Sequence, residues 1–202
     1  MLKTHSGKVE YVSFAAPPES LGTGAVLLIH DEGQHARSLI PLAAWLAGRG
    51  YSVGIVSMPG YGLSDGTADP AGQSTLEAVD AAFEALEHTP RVNGSRVAVW
   101  GAGGGATAAV LFAARHPEAR ALIAQSGSYD LATAGRIKAA VLVVHGEKDA
   151  LNPAAQAHAF ADALKARGVD VETRFLPAGG APLKPFEVRR PALEFLHRHL
   201  AP

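Results

Sequence analysis

The chain has 202 residues, 48% of them apolar and 18% charged, with a formal net charge of -1. That length fits one domain with a substantial core, over residues 1–202, and the near-neutral charge gives no reason to expect nucleic acid or an anionic membrane as a partner. No cysteine is present, which excludes disulfides, thiolate metal ligands and cysteine nucleophiles.

The opening stretch, MLKTHSGKVEYV, lacks the long apolar core of a signal peptide, and no apolar run is long enough to span a bilayer. A cytoplasmic protein is the expectation, and the Ala-, Gly- and Arg-rich usage suggests a GC-rich bacterial source. Lys8 to Phe14 alternates as a half-exposed edge strand does. Ala25-Val26-Leu27-Leu28-Ile29 is continuously apolar, the mark of a parallel strand buried on both faces, and His30-Asp31-Glu32-Gly33 follows it. Leu39 to Arg49 has helical spacing. Tyr51 to Ser57 reads as the next buried strand, closed by Met58-Pro59-Gly60-Tyr61-Gly62. Ser74-Thr75-Leu76-Glu77 predicts a capping box ahead of a helix over 76–88.

Arg96 to Trp100, Leu122 to Ala124, Ala140 to His145 and Val171 to Leu176 supply four more strands. Helices are predicted over 106–116, from Pro153 to Arg167 and from Pro185 to Leu200, with a loop over 177–182. Strands and helices alternate throughout. The fold class is therefore α/β, a three-layer α/β/α sandwich around a mostly parallel, doubly wound sheet. Loops after the strand C-terminal ends should line one crevice. The segment from Ser126 to Ala139 is too short for a large cap, so an open crevice is expected.

The chain is organised around Val97-Ala98-Val99-Trp100-Gly101-Ala102-Gly103-Gly104-Gly105-Ala106. A strand runs into a glycine cluster and straight into a helix, the context of a G-x-S-x-G nucleophile elbow. The outer glycines are Gly101 and Gly105, but the centre is Gly103, which has no side chain to attack with. This stretch, together with His30-x-x-Gly33, Pro59-Gly60-Tyr61-Gly62-x-Ser64, His116-Pro117-Glu118 and His145-Gly146-Glu147-Lys148-Asp149, resembles the α/β-hydrolases. The small lidless dienelactone-hydrolase and serine-aminopeptidase-like members are the nearest in pattern, over nearly the whole length.

The resemblance implies that Gly103 stands at the nucleophile position and Asp149 at the triad acid. It implies that Ala181, or a neighbour within Gly179 to Leu183, stands at the histidine. Only Asp149 is preserved in type, and triad chemistry needs all three roles. The expected function is a non-catalytic homologue that binds a small ligand in the crevice or a partner protein. The alternative is a serine-type esterase for small carboxylic esters acting through other residues, Ser64 or Ser126.

His30, Asp31, Gly104, Tyr61 and Ser126 are the candidate ligand or oxyanion region. The backbone N–H near Gly104 should favour an anion or a carbonyl oxygen at the helix N-terminus. Asp31, Glu32, Glu147 and Asp149 all follow strands, yet their spacing matches no metal motif, and neither metal nor cofactor is expected. A homodimer through the edge strand near Tyr11 or the final helix is the expectation for self-association.

Overall fold

The computed structural model describes residues 1–20, 24–180, 183, 184 and 186–201. A small antiparallel hairpin, β1 (Leu2–Thr4) with β2 (Gly7–Val9), precedes the main sheet. The main sheet has seven strands: β3 (Tyr11–Phe14), β4 (Ala25–Ile29), β5 (Ser52–Val56), β6 (Val97–Ala102), β7 (Ala121–Gln125), β8 (Ala140–Lys148) and β9 (Val171–Gly180). Their spatial order is β3-β5-β4-β6-β7-β8-β9. Only β3 is antiparallel to its neighbour, and the remaining pairs are parallel. The three-layer α/β architecture expected from the alternating elements is the one observed.

The central strands are apolar at consecutive positions because both faces are covered. On one face lie α2 (Gln73–Glu87), α3 (Gly104–Ala113) and α4 (Ala154–Lys165), packed through Val79, Phe83, Phe112, Phe160 and Leu164 against Leu27, Val99 and Val143. The other face carries α1 (Ile40–Ala47) and α5 (Arg189–Leu200), packed through Leu42, Leu46, Phe195 and Leu196 against Leu28, Trp100 and Leu142. Each fully buried Leu, Ile or Phe side chain contributes about 1.5–3 kcal/mol through apolar burial. Among the described residues no helix is long and apolar enough to cross a membrane.

Four local expectations are corrected. The alternating run from Lys8 is broken at Glu10, so Lys8 and Val9 belong to the hairpin and only Tyr11–Phe14 joins the main sheet. The capping box does not form. Helix α2 starts nearly a turn earlier, after Gly72, and Thr75 Oγ1 donates inward to the Asp69 carbonyl. Strand β9 runs through the predicted 177–182 loop as far as Gly180, because a register shift beside Gly146 lets Lys148 pair with Gly180. Helix α5 begins at Arg189 and not at Pro185.

Candidate functional site

Strand β6 stops at Ala102 and α3 starts at Gly104, so Gly103 alone makes the turn, with φ 53° and ψ -122°. Its N–H donates to the Gln125 carbonyl (2.9 Å), and its carbonyl accepts from Ala106 N (2.9 Å). The flanking glycines are needed for contact. A β-carbon on Gly101 would fall on the Gly105 carbonyl, and one on Gly105 would press on the carbonyls of His30 and Ile29. Close packing of strand, turn and helix excludes side chains at both positions.

The space beside Gly103 is not empty. A β-carbon there would fall on the carboxylate of Asp31, with Oδ2 at 2.7 Å. Asp31 Oδ1 accepts the Gly104 N–H at 3.1 Å and the Glu32 N–H at 2.8 Å. The carboxylate thus sits on the N-terminus of α3, where unsatisfied amides and the helix dipole favour negative charge. The N–H that the sequence offered to a bound anion is given to the chain's own carboxylate. Glu32 Cγ and Pro70 Cγ cover the next position, 2.8 and 2.9 Å from where a Gly104 β-carbon would be. At its centre, the expected open crevice is lined by these three side chains.

His30 is wholly buried and locked. Its Nδ1 donates to the Asp31 carbonyl (2.7 Å), and its Nε2 accepts from Met58 N (2.9 Å), which fixes a neutral tautomer. Burial holds its pKa below the ordinary value of a histidine. Tyr61 packs edge-on against the ring, with centroids 5.1 Å apart. Both imidazole nitrogens are occupied, so His30 shapes the loop and has no lone pair left for a proton.

Asp149 follows β8, with its side chain fully buried. Oδ1 accepts from Leu151 N (3.0 Å) and Asn152 N (2.9 Å). Oδ2 has no hydrogen-bond partner among the described residues. The nearest imidazole, His145, has its Nε2 3.7 Å from that oxygen but donates it to the Asn152 carbonyl at 2.7 Å. Ala181 lies outside the described residues.

Both alternative serines are engaged. Ser64 Oγ donates to the Ser57 carbonyl (2.8 Å) and accepts from Glu10 N (2.9 Å). Ser126 is fully buried at φ 51°, and its Oγ accepts the Leu183 N–H at 3.4 Å. Asp31 and Glu32 lie at the elbow, whereas Glu147 pairs with His158 at 3.0 Å near α4.

One buried network escaped the sequence. Glu10, 4% exposed, accepts from Ser57 Oγ (2.8 Å), Leu63 N (3.2 Å) and Arg37 Nε (3.0 Å). Burial works against its charge, but the Ser57 hydroxyl, the Leu63 N–H and Arg37 outweigh it and hold its carboxyl below the usual glutamate value. The only sequence signal was a carboxylate breaking an alternating run.

Comparison with known proteins bears on the family and the fold. The model of the dienelactone hydrolase family matches residues 63–181, more than half of the chain. No curated protein sequence matches significantly. Among solved structures, a protein of unknown function from Agrobacterium tumefaciens superposes with a TM-score of 0.84 at 19% identity, over 98% of this chain and 94% of that one. An esterase from Pyrococcus furiosus gives 0.81 at 17% identity, over 99% and 91%. The acylaminoacyl peptidase of Pyrococcus horikoshii gives 0.83 at 15% identity over 98% of this chain, which spans only 41% of the peptidase. At these identities the likeness is one of fold.

Proposed function

The chain belongs to the dienelactone hydrolase family, and from that premise we propose that it has kept the fold without the hydrolytic step and acts by binding. The observation that carries this reading is the Asp31 carboxylate. It stands where a nucleophile's β-carbon would be and holds the Gly104 N–H that would otherwise steady a developing oxyanion. A carboxylate in that place also repels the negative charge that builds on an acyl oxygen.

The other triad roles are consistent with the same reading. Asp149 keeps the acid's turn, but its Oδ2 orients no imidazole among the described residues. In a working triad the carboxylate holds the histidine and the histidine takes the nucleophile's proton. The resemblance assigns Gly103 and Ala181, or a neighbour of Ala181 within Gly179 to Leu183, to the two reacting positions, and none of these residue types does this chemistry. The surface left for binding is the end of the sheet where the strands finish. Leu63 and Leu151, in the loops that follow β5 and β8, are exposed and suit a partner or ligand with an apolar face.

The test is labelling by a fluorophosphonate and turnover of a short p-nitrophenyl ester. The native chain should do neither above a heat-denatured control. Stoichiometric labelling would overturn the reading. A labelled Ser64 or Ser126 would install the serine-esterase alternative in its place.

A further inference from the structure

The opposite end of the sheet holds a second candidate site, unrelated to the elbow. Strands β7, β8 and β9 are parallel, and their registers pair Ala121 with Ala140 and Val141 with Val171. The residues entering these strands therefore lie side by side. Ala140 N donates to the Arg120 carbonyl (3.3 Å) and Val141 N to the Asp170 carbonyl (2.8 Å), which ties the entry segments together. The turn after α4 and the last turn of α5 close over them. The result is a cavity of about 430 Å³ with Arg120, Lys138, Arg167 and His199 on its walls and Ile137 and Val169 as apolar lining. That volume is within the range of about 300–1,000 Å³ usual for small-molecule sites.

The charge is lopsided. Arg120, Lys138 and Arg167 are permanent cations, and among the described residues none of the three forms an ion pair with a carboxylate. Among the described residues Arg120 Nε reaches the His199 carbonyl, at 3.4 Å. Asp170 is the one carboxylate on the wall, and its Oδ2 lies 3.8 Å from His199 Nε2. The whole chain carries a formal charge of -1, so this excess is local and not the overflow of a basic protein.

Arg167 is also seated. A β-carbon on Gly135 would come 3.0 Å from its Cζ and Nη1, so the guanidinium lies against a backbone bare of side chain. On the other wall the His199 ring packs on Phe195, with centroids 4.5 Å apart. A guanidinium presents a rigid fork of donors that matches the oxygens of a phosphate or carboxylate two at a time.

We propose that this basal cavity binds a small, multiply charged oxyanion, with Arg120 and Arg167 as forked donors and Lys138 as a point charge. The shared chemistry is a cluster of oxyanion oxygens on a compact body. A phosphate ester and a polycarboxylate both carry it.

Calorimetric titration of the full chain with inorganic pyrophosphate, and separately with citrate, tests this against sodium chloride at matched ionic strength. The expected result is one saturable site for at least one of the two, and the tighter probe identifies the source. Arg120→Ala and Arg167→Ala should each weaken binding by about tenfold or more, the loss expected when a charged hydrogen-bond partner is removed. Arg115→Ala, whose guanidinium pairs with Asp80 away from the cavity, should leave it unchanged. Lys138→Ala, on an exposed loop, keeps the test alive should another variant unfold, which circular dichroism would reveal.

Absence of saturable binding by either probe at millimolar concentration would overturn the proposal. So would equal weakening by Arg115→Ala. Neither result bears on the elbow.

Discussion

Replacing Gly103 by serine is the sharpest test of the elbow, because the structure opposes it twice. The backbone at φ 53° and ψ -122° is strained for a residue with a β-carbon, at a cost of about 1–3 kcal/mol. The new atom would also fall on the Asp31 carboxylate, which must leave. Its departure breaks the charge-assisted bond to Gly104 N, worth about 1.5–3 kcal/mol. Asp31 is partly exposed, so water returns some of that. The expected loss for Gly103→Ser is about 3–5 kcal/mol, a large share of a typical domain stability of about 5–15 kcal/mol. Urea denaturation measures it, followed by the fluorescence of Trp100, buried on β6 and bonded through Nε1 to Gln125 Oε1 at 3.0 Å. In an Asp31→Ala background the same serine should cost less, with a coupling of about 1–3 kcal/mol. Strict additivity of the two substitutions, or a Gly103→Ser protein as stable as the native one, would refute the argument. The single mutant should also show no esterase activity, because Asp31 stands against it and no imidazole among the described residues hydrogen-bonds Asp149 Oδ2.

Two further outcomes follow. Asp149→Asn keeps the oxygen that accepts from Leu151 and Asn152 and replaces one that accepts nothing among the described residues, so the melting temperature should hold or rise; a fall worth more than about 2 kcal/mol would show that Oδ2 does have a partner. His30 has a folded-state pKa below its unfolded value, so the unfolded chain binds more protons and stability is lost as pH falls below about 6.5; His30→Gln should flatten that part of the curve, while the loss from Glu10, also lowered in the fold, begins only below about 4.3. An unchanged slope between these two values in His30→Gln would rule out the buried neutral histidine as its source.

The central sheet was legible because parallel strands covered on both faces must be apolar at consecutive positions, as in Ala25–Ile29 and Val141 to Val144. The elbow was legible because close approach leaves glycine as the only fit at Gly101 and Gly105. The β1–β2 hairpin was not, since strands of three residues leave no readable period. The false capping box shows the limit of a local rule. Ser74 and Glu77 have the right spacing, but Glu77 bonds Ser6 across the surface and the helix starts earlier. The Asp31 contact was invisible for a stronger reason. It joins residues 73 positions apart, and nothing in either segment alone says that one fills the space of the other.

That contact also constrains how the chain can change. If positions 31 and 103 are coupled as calculated, neither is free to drift by itself. A serine arriving first at 103 meets a carboxylate in its place, and an alanine arriving first at 31 strips the N-terminus of α3 of its acceptor. Every single-step route from this elbow to a hydroxyl-bearing one then crosses a less stable protein. The glycine at the turn and the aspartate above it behave as one energetic unit, joined by a single hydrogen bond and a missing β-carbon.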